Sequence, residues 1–139
     1  MRLEKFQIDS DAMDEGVEVA LDKLDGFVVR LRTLRCPQSR DLSRQQLKKG
    51  GPIMLGDIEG WEPGELQILE MVVNANLTGW GDLERSDGNG GYETVKYSKG
   101  EALEILSKME NRPILDAIWD QLTNEENFRA GARAEAEKN

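Results

Sequence analysis

Between Val17 and Leu31 apolar positions alternate with polar ones. Val17, Val19 and Leu21 share one side, and Phe27, Val29 and Leu31 resume the alternation after an Asp25-Gly26 turn signal. A period of two sends successive side chains to opposite faces, so this stretch predicts a β-hairpin, residues 16–22 paired with 26–34. Asp22 and Lys23 also read as loop, which leaves the register open. Cys36-Pro37 breaks the strand. Residues 38–49 then predict a polar helix whose only apolar residues are Leu42 and Leu47, ended by Gly50-Gly51-Pro52. A loop follows to Gly60. Glu62-Pro63-Gly64-Glu65 has the make-up of a helix first turn, with proline tolerated early and acids favoured by the dipole. Leu66, Leu69, Val72 or Val73, and Asn76 or Leu77 continue at helical spacing, closed by Thr78-Gly79-Trp80-Gly81. This is the most apolar helix and the predicted centre of the core.

Beyond Asp82 the polar stretch Ser86-Asp87-Gly88-Asn89-Gly90-Gly91 reads as a turn between short extended pieces ending in Tyr92, Val95 and Tyr97. Ser98 to Glu101 forms a capping box, opening a helix with Ala102, Leu103, Ile105, Leu106 and Met109 as its apolar positions. Asn111-Arg112-Pro113 opens another, striped by Ile114, Leu115, Ile118, Trp119 and Leu122. Thr123-Asn124-Glu125-Glu126 has the pattern of a third helix start, and Phe128 is the last large apolar residue. The expected fold is α+β and mainly α: an N-terminal β-hairpin packed on a bundle of short helices, with a polar C-terminal tail. Residues 1–14 read as a polar segment, 15–130 as a single domain and 131–139 as a solvated tail.

Charge adds an asymmetry. The net charge is −9; residues 1–60 hold 11 acids against 10 bases, and residues 61–139 hold 16 against 8. Within the first half lies a basic island, Arg30, Arg32, Arg35, Arg40, Arg44, Lys48 and Lys49, opposed only by Asp41. The negative total repels nucleic acid and membrane surfaces at long range, yet the island can attract an acidic partner or the acidic half of a neighbouring copy. No aromatic is interleaved from Val28 to Ile53, which disfavours a nucleic-acid site. No apolar run approaches the length of a membrane span, and the first residues lack the apolar stretch of a secretory signal.

Candidate chemistry is sparse. Histidine is absent, so imidazole acid–base catalysis, histidine-activated nucleophiles and histidine-ligated zinc are excluded. The Asp- and Gly-rich turn fails the EF-hand pattern in either register, because Leu83 or Arg85 falls at the first ligand position. The paired glycines match neither phosphate-binding fingerprint. Cys36 has no partner base, and acidic pairs such as Asp116/Asp120 read as solvated helix faces. No catalytic, cofactor or metal residue is expected, and the chain reads as a non-enzyme. Trp61, Trp80 and Trp119 read as core or core-edge residues, with Trp119 a candidate anchor for a partner.

The ordered set Thr78-Gly79-Trp80, Asp87-Gly88-Asn89, Ser98 to Glu101, Leu103 to Leu106, Trp119 and Glu126-Asn127-Phe128 resembles the tail assembly chaperones of tailed bacteriophages. Upstream, DGFVVRLRTLRCPQSRDLSRQQLKK is similar to that family's hairpin strand and basic helix. The likeness covers roughly residues 15–139. It implies a protein that coats the tape measure protein in the host cytoplasm, yields to arriving tail tube protein, self-associates, and is absent from the mature virion. It also implies a longer product made by −1 ribosomal frameshifting. Glu137-Lys138-Asn139 can be encoded GAA AAA AAC, which contains the slippery heptamer A AAA AAC. Partner contacts are expected from the basic island and from the helices of residues 98–130 around Trp119. The competing readings are a tail or head–tail component retained in the virion, and a nucleic-acid-associated regulator using residues 30–49.

Overall fold

The computed structural model describes residues 1–131. From residue 132 onward, the expected tail and the Glu-Lys-Asn triplet lie outside the described residues. The expected hairpin forms. Strand β1 (Val17–Leu21) pairs antiparallel with β2 (Phe27–Leu31), with Val19 opposite Val29. Their connection is a 3-10 turn at Asp22–Leu24 followed by two left-handed residues, Asp25 (φ 54°) and Gly26 (φ 75°). Ahead of β1, the Asp9 side chain caps a one-turn helix, α1 (Ser10–Met13), whose Ala12 is fully buried.

Helix α2 (Pro37–Lys49) starts on proline and ends at Gly50, which takes the left-handed conformation that glycine adopts without steric cost. The stretch after Gly60 differs from expectation. Helix α3 (Pro63–Met71) opens with the Glu62/Glu65 capping box, but it gives way to a π turn at Val72–Asn76 and then to a strand, β3 (Leu77–Trp80). The wider π turn buries Val72, Val73, Ala75 and Asn76 together. Asn76 redirects the chain: its backbone oxygen accepts from Arg32 N–H at 2.7 Å, and its side-chain amide donates to the Arg32 oxygen at 3.0 Å. The Thr78-Gly79-Trp80 segment therefore extends the hairpin into a three-stranded sheet, β1-β2-β3, instead of merely closing a helix.

A second hairpin, β4 (Glu84–Ser86) with β5 (Tyr92–Thr94), carries the Asp- and Gly-rich turn at its tip. There the Asp87 carboxylate accepts the N–H groups of Asn89 and Gly91, as a plain turn requires. Helix α4 (Lys99–Leu106) is capped by Ser98 as expected; Met109 falls beyond it in a 3-10 turn and is exposed. Helix α5 (Arg112–Leu122) buries Leu115, Ile118 and Leu122.

Thr123 does not open a helix. It terminates α5, its hydroxyl donating to the Trp119 and Asp120 carbonyls at 3.1 Å. The Asn127 amide donates back to the Gln121 carbonyl at 3.0 Å, and Glu125–Phe128 forms a single 3-10 turn. Burial overrides the capping box here: Phe128 is wholly enclosed, and its carbonyl accepts from Asp9 N–H at 2.7 Å. An antiparallel bridge between Ile8 and Arg129 fastens the N-terminal segment alongside. One core unites the sheet, α3 with its π turn, α4, α5, Trp61 and Phe128. The architecture is α+β and mainly α.

Candidate functional site

The basic island divides when folded. Arg30 pairs with Glu18 at 3.4 Å across the hairpin. The Arg32 Nε donates to the Ala75 carbonyl at 2.9 Å and holds the π turn against β2. Arg35 pairs with Glu125, joining the end of the hairpin to the turn that carries Phe128. These three are engaged by the fold. On α2, Arg40 and Lys48 are exposed and form no ion pair among the described residues. Arg44 meets only Asp41 of its own helix, at 3.5 Å, and the Lys49 ammonium donates to the Pro52 carbonyl at 2.8 Å. Arg40, Arg44 and Lys48 recur every four residues, so they run along one side of α2. Cys36 is fully buried at the start of α2, with its sulfur 3.8 Å from the Ala75 oxygen.

Trp119 lies where this basic helix meets α3 and α5. A shallow groove of about 280 Å³ is lined by Ser43, Gln46 and Leu47 of α2, Gly64, Gln67, Ile68 and Met71 of α3, and Trp119 of α5. Leu47 is 84% exposed, and Ile68 and Trp119 are half-buried. Helix α2, which carries the exposed cations, and Trp119, two of the expected partner features, thus meet at an open groove of mixed polar and apolar lining. The remaining tryptophans serve the fold. Trp61 packs under the Arg112 guanidinium, 4.7 Å from its ring centroid; Trp80 donates to the Val95 carbonyl at 2.8 Å and meets Tyr97 edge-on.

The groove stands on a buried charge that residue patterns did not reveal. Glu70 is fully buried on α3, and its carboxylate gathers four donors. They are the N–H groups of Ile53 (2.7 Å), Met54 (2.6 Å) and Leu55 (3.0 Å), and the Gln46 side-chain amide (3.2 Å). Burial pushes the Glu70 pKa up, but these hydrogen bonds to the charged form outweigh it, and the net displacement is downward. The carboxylate thereby fixes residues 53–55 and ties α2 to α3. The signal available in the sequence was a lone glutamate within the apolar run Ile68-Leu69-Glu70-Met71-Val72. At the start of α3, the Glu62 N–H and then Arg112 lower the Glu65 pKa.

A second recess lies on the other side of α5, between the sheet and α4. This cleft of about 170 Å³ is lined by ten apolar residues, among them Leu24, Phe27, Trp80, Leu83, Ile105 and Ile114, and no polar atom is exposed on its wall. Among the described residues, no set of three or more Asp, Glu or Cys side chains converges to hold a metal ion. No described helix is long and apolar enough to cross a membrane. Comparison with protein-family models, curated proteins and solved structures finds no match.

Proposed function

We propose that the chain is a non-enzymatic tail assembly chaperone of a tailed bacteriophage. It binds the tape measure protein in the host cytoplasm, keeps it soluble, and gives way to tail tube subunits as they are recruited. It does not remain in the mature virion. The family likeness supports this reading, and the motifs that carry it fall on a strand, a hairpin tip, a helix cap, helices α4 and α5, and a core aromatic. The observation that carries the binding role is the open groove in which Leu47, Ile68 and Trp119 lie among Ser43, Gln46 and Gln67, one wall being the helix that carries Arg40, Arg44 and Lys48. A long helical client exposes apolar stripes that aggregate unless covered. A groove with exposed apolar side chains and cations on one of its helices receives such a stripe when the client helix also carries polar and acidic residues. The negative total charge of −9 keeps the assembly dispersed.

The test is co-expression with the tape measure protein encoded by the same phage, followed by the soluble fraction of that client. Trp119→Ala and Ile68→Asp are each expected to lower it several-fold without unfolding the chaperone. Full client solubility with both variants refutes the groove as the binding surface. Intact-mass measurement on the reading frame with its native downstream DNA checks the frameshift product. Purified virions should contain neither form; stoichiometric retention would favour a structural tail component.

A further inference from the structure

Asparagine followed by glycine is a chemically weak point of a chain. The next backbone nitrogen can attack the side-chain amide, and glycine has no side chain to obstruct it. Aspartate followed by glycine reacts in the same way, more slowly. This chain holds three such pairs: Asp25-Gly26, Asp87-Gly88 and Asn89-Gly90. The fold treats them differently. The Gly26 N–H donates to the Leu21 carbonyl at 3.1 Å, and the Gly88 N–H to the Ser86 hydroxyl at 3.2 Å. The Asp87 carboxylate is itself occupied, one oxygen accepting from Asn89 N–H at 2.7 Å and from Gly91 N–H at 3.1 Å. In both Asp-Gly pairs the attacking nitrogen is therefore held in a hydrogen bond that must break before it can react.

Asn89-Gly90 lacks that protection. The pair sits at the tip of the β4–β5 hairpin, with both residues exposed. Among the described residues, neither the Asn89 side-chain amide nor the Gly90 N–H has a hydrogen-bond partner. Gly90 takes φ +86°, and a Cβ placed on it would meet nothing within 4 Å, so its surroundings are open. No other asparagine of the sequence is followed by glycine.

We propose that Asn89 is a site of spontaneous covalent modification, converting to aspartate and isoaspartate through a succinimide. The Gly90 nitrogen gives up its proton and bonds to the Asn89 Cγ. The Cγ–Nδ2 bond breaks, and Nδ2 leaves as ammonia with that proton. Water then adds to one of the two ring carbonyls: opening at Cγ gives aspartate, and opening at the backbone carbonyl gives isoaspartate. Water is the sole co-reactant, and nothing is oxidised or reduced. Either product adds a negative charge two residues from Asp87. Isoaspartate also inserts a methylene between the nitrogens of residues 89 and 91. One Asp87 oxygen now spans those two nitrogens, and the Asp87 N–H meets the Gly91 carbonyl at 3.1 Å, so the longer backbone breaks up the turn. The inference rests on the hairpin tip alone and is independent of the client.

The experiment is peptide mapping by mass spectrometry of the full chain after days of incubation at mildly alkaline pH, against an unfolded reference peptide of residues 84–94. Asn89 should gain about 1 Da as separable aspartyl and isoaspartyl forms. It should do so about tenfold or more faster than any other asparagine, and faster still as hydroxide rises. Its rate in the folded chain should lie within a few-fold of the peptide's, because the fold leaves the nucleophile free. Isomerisation at Asp87-Gly88 should instead be about tenfold or more slower in the folded chain than in the peptide. Asn89→Gln, whose longer side chain must close a six-membered ring, should abolish the mass gain while far-UV circular dichroism stays unchanged. Deamidation of Asn89 that is about tenfold or more slower in the folded chain than in the peptide overturns the proposal, as does a mass gain that appears first at another asparagine.

Discussion

Replacing Glu70 by glutamine changes almost nothing in shape and a great deal in hydrogen bonding. Both carboxylate oxygens are acceptors: one takes the Ile53 N–H and the Gln46 amide, the other the Met54 and Leu55 N–H groups. A glutamine amide offers one oxygen and one NH2 group. Whichever way it is turned, the NH2 faces two donors, so at least two charge-assisted hydrogen bonds are lost inside a fully buried site. A hydrogen bond to a charged group contributes about 1.5–3 kcal/mol. Relief from burying the charge offsets part of the loss. The expected net destabilisation of Glu70→Gln is about 2–4 kcal/mol at neutral pH. Urea unfolding at pH 7 measures it, and hydrogen exchange at Ile53, Met54 and Leu55 should accelerate in the variant. The pH dependence has a fixed sign. The folded-state pKa of Glu70 is displaced below its ordinary value of 4.5. Its contribution is therefore present above the unfolded-state pKa and is lost as pH falls through the lower, folded-state value. Wild type and variant should converge in stability as the solution becomes acidic. A variant within about 0.5 kcal/mol of wild type at pH 7, or a gap that widens in acid, would refute the idea that this carboxylate holds residues 53–55 against α3.

Three further substitutions probe separate links. Phe128→Ala empties a fully buried position and should cost about 3–5 kcal/mol in denaturant unfolding, with faster exchange of the Asp9 and Ala130 amides that bond across the terminal bridge. Gly16→Ala should cost about 2 kcal/mol, because φ is +99° and a Cβ there comes within 2.9 Å of the Leu31 carbonyl group; a thermal midpoint equal to wild type would contradict that geometry. Arg112 pairs with Glu65, meets Asp116 at 3.3 Å and covers the Trp61 ring, so Arg112→Lys should lose about 1 kcal/mol and shift tryptophan emission, a change absent if the planar guanidinium is immaterial.

The elements legible in the sequence are those whose partners lie close by in the chain. Val17 to Leu31 showed its alternation because both strands of the hairpin bury the same face locally, and Ser98 and Pro113 marked the starts of α4 and α5 through their own first turns. β3 was hidden because Leu66, Leu69, Val72 and Val73 keep helical spacing up to the residues that leave the helix. Only contact with β2, more than forty residues earlier, extends Leu77 to Trp80 into a strand. Glu70 was concealed over a shorter separation, 15 to 17 residues, because its three backbone donors come from a loop without periodicity. Thr123 misled because a capping box reports a local preference, whereas Phe128 is placed by the whole core. The site was half legible. Trp119 and the α2 cations were nameable as candidates, but Arg30, Arg32 and Arg35 read as equals of Arg40 and Lys48 until the fold consumed them.

The bridge between Ile8 and Arg129 also sets the order in which this molecule can be completed on the ribosome. Translation proceeds at about 5–20 residues per second, and folding begins from the N-terminal side. Yet the Ile8 bridge and the Asp9 N–H wait for Arg129 and Phe128, and the core stays open at Phe128 until that residue is delivered. The segment around Ile8, made well before its partner, is therefore fastened late. A nascent chain that has already formed its hairpin and α2 still waits several seconds, while the residues from Gly50 to Arg129 are made, before this bridge can close.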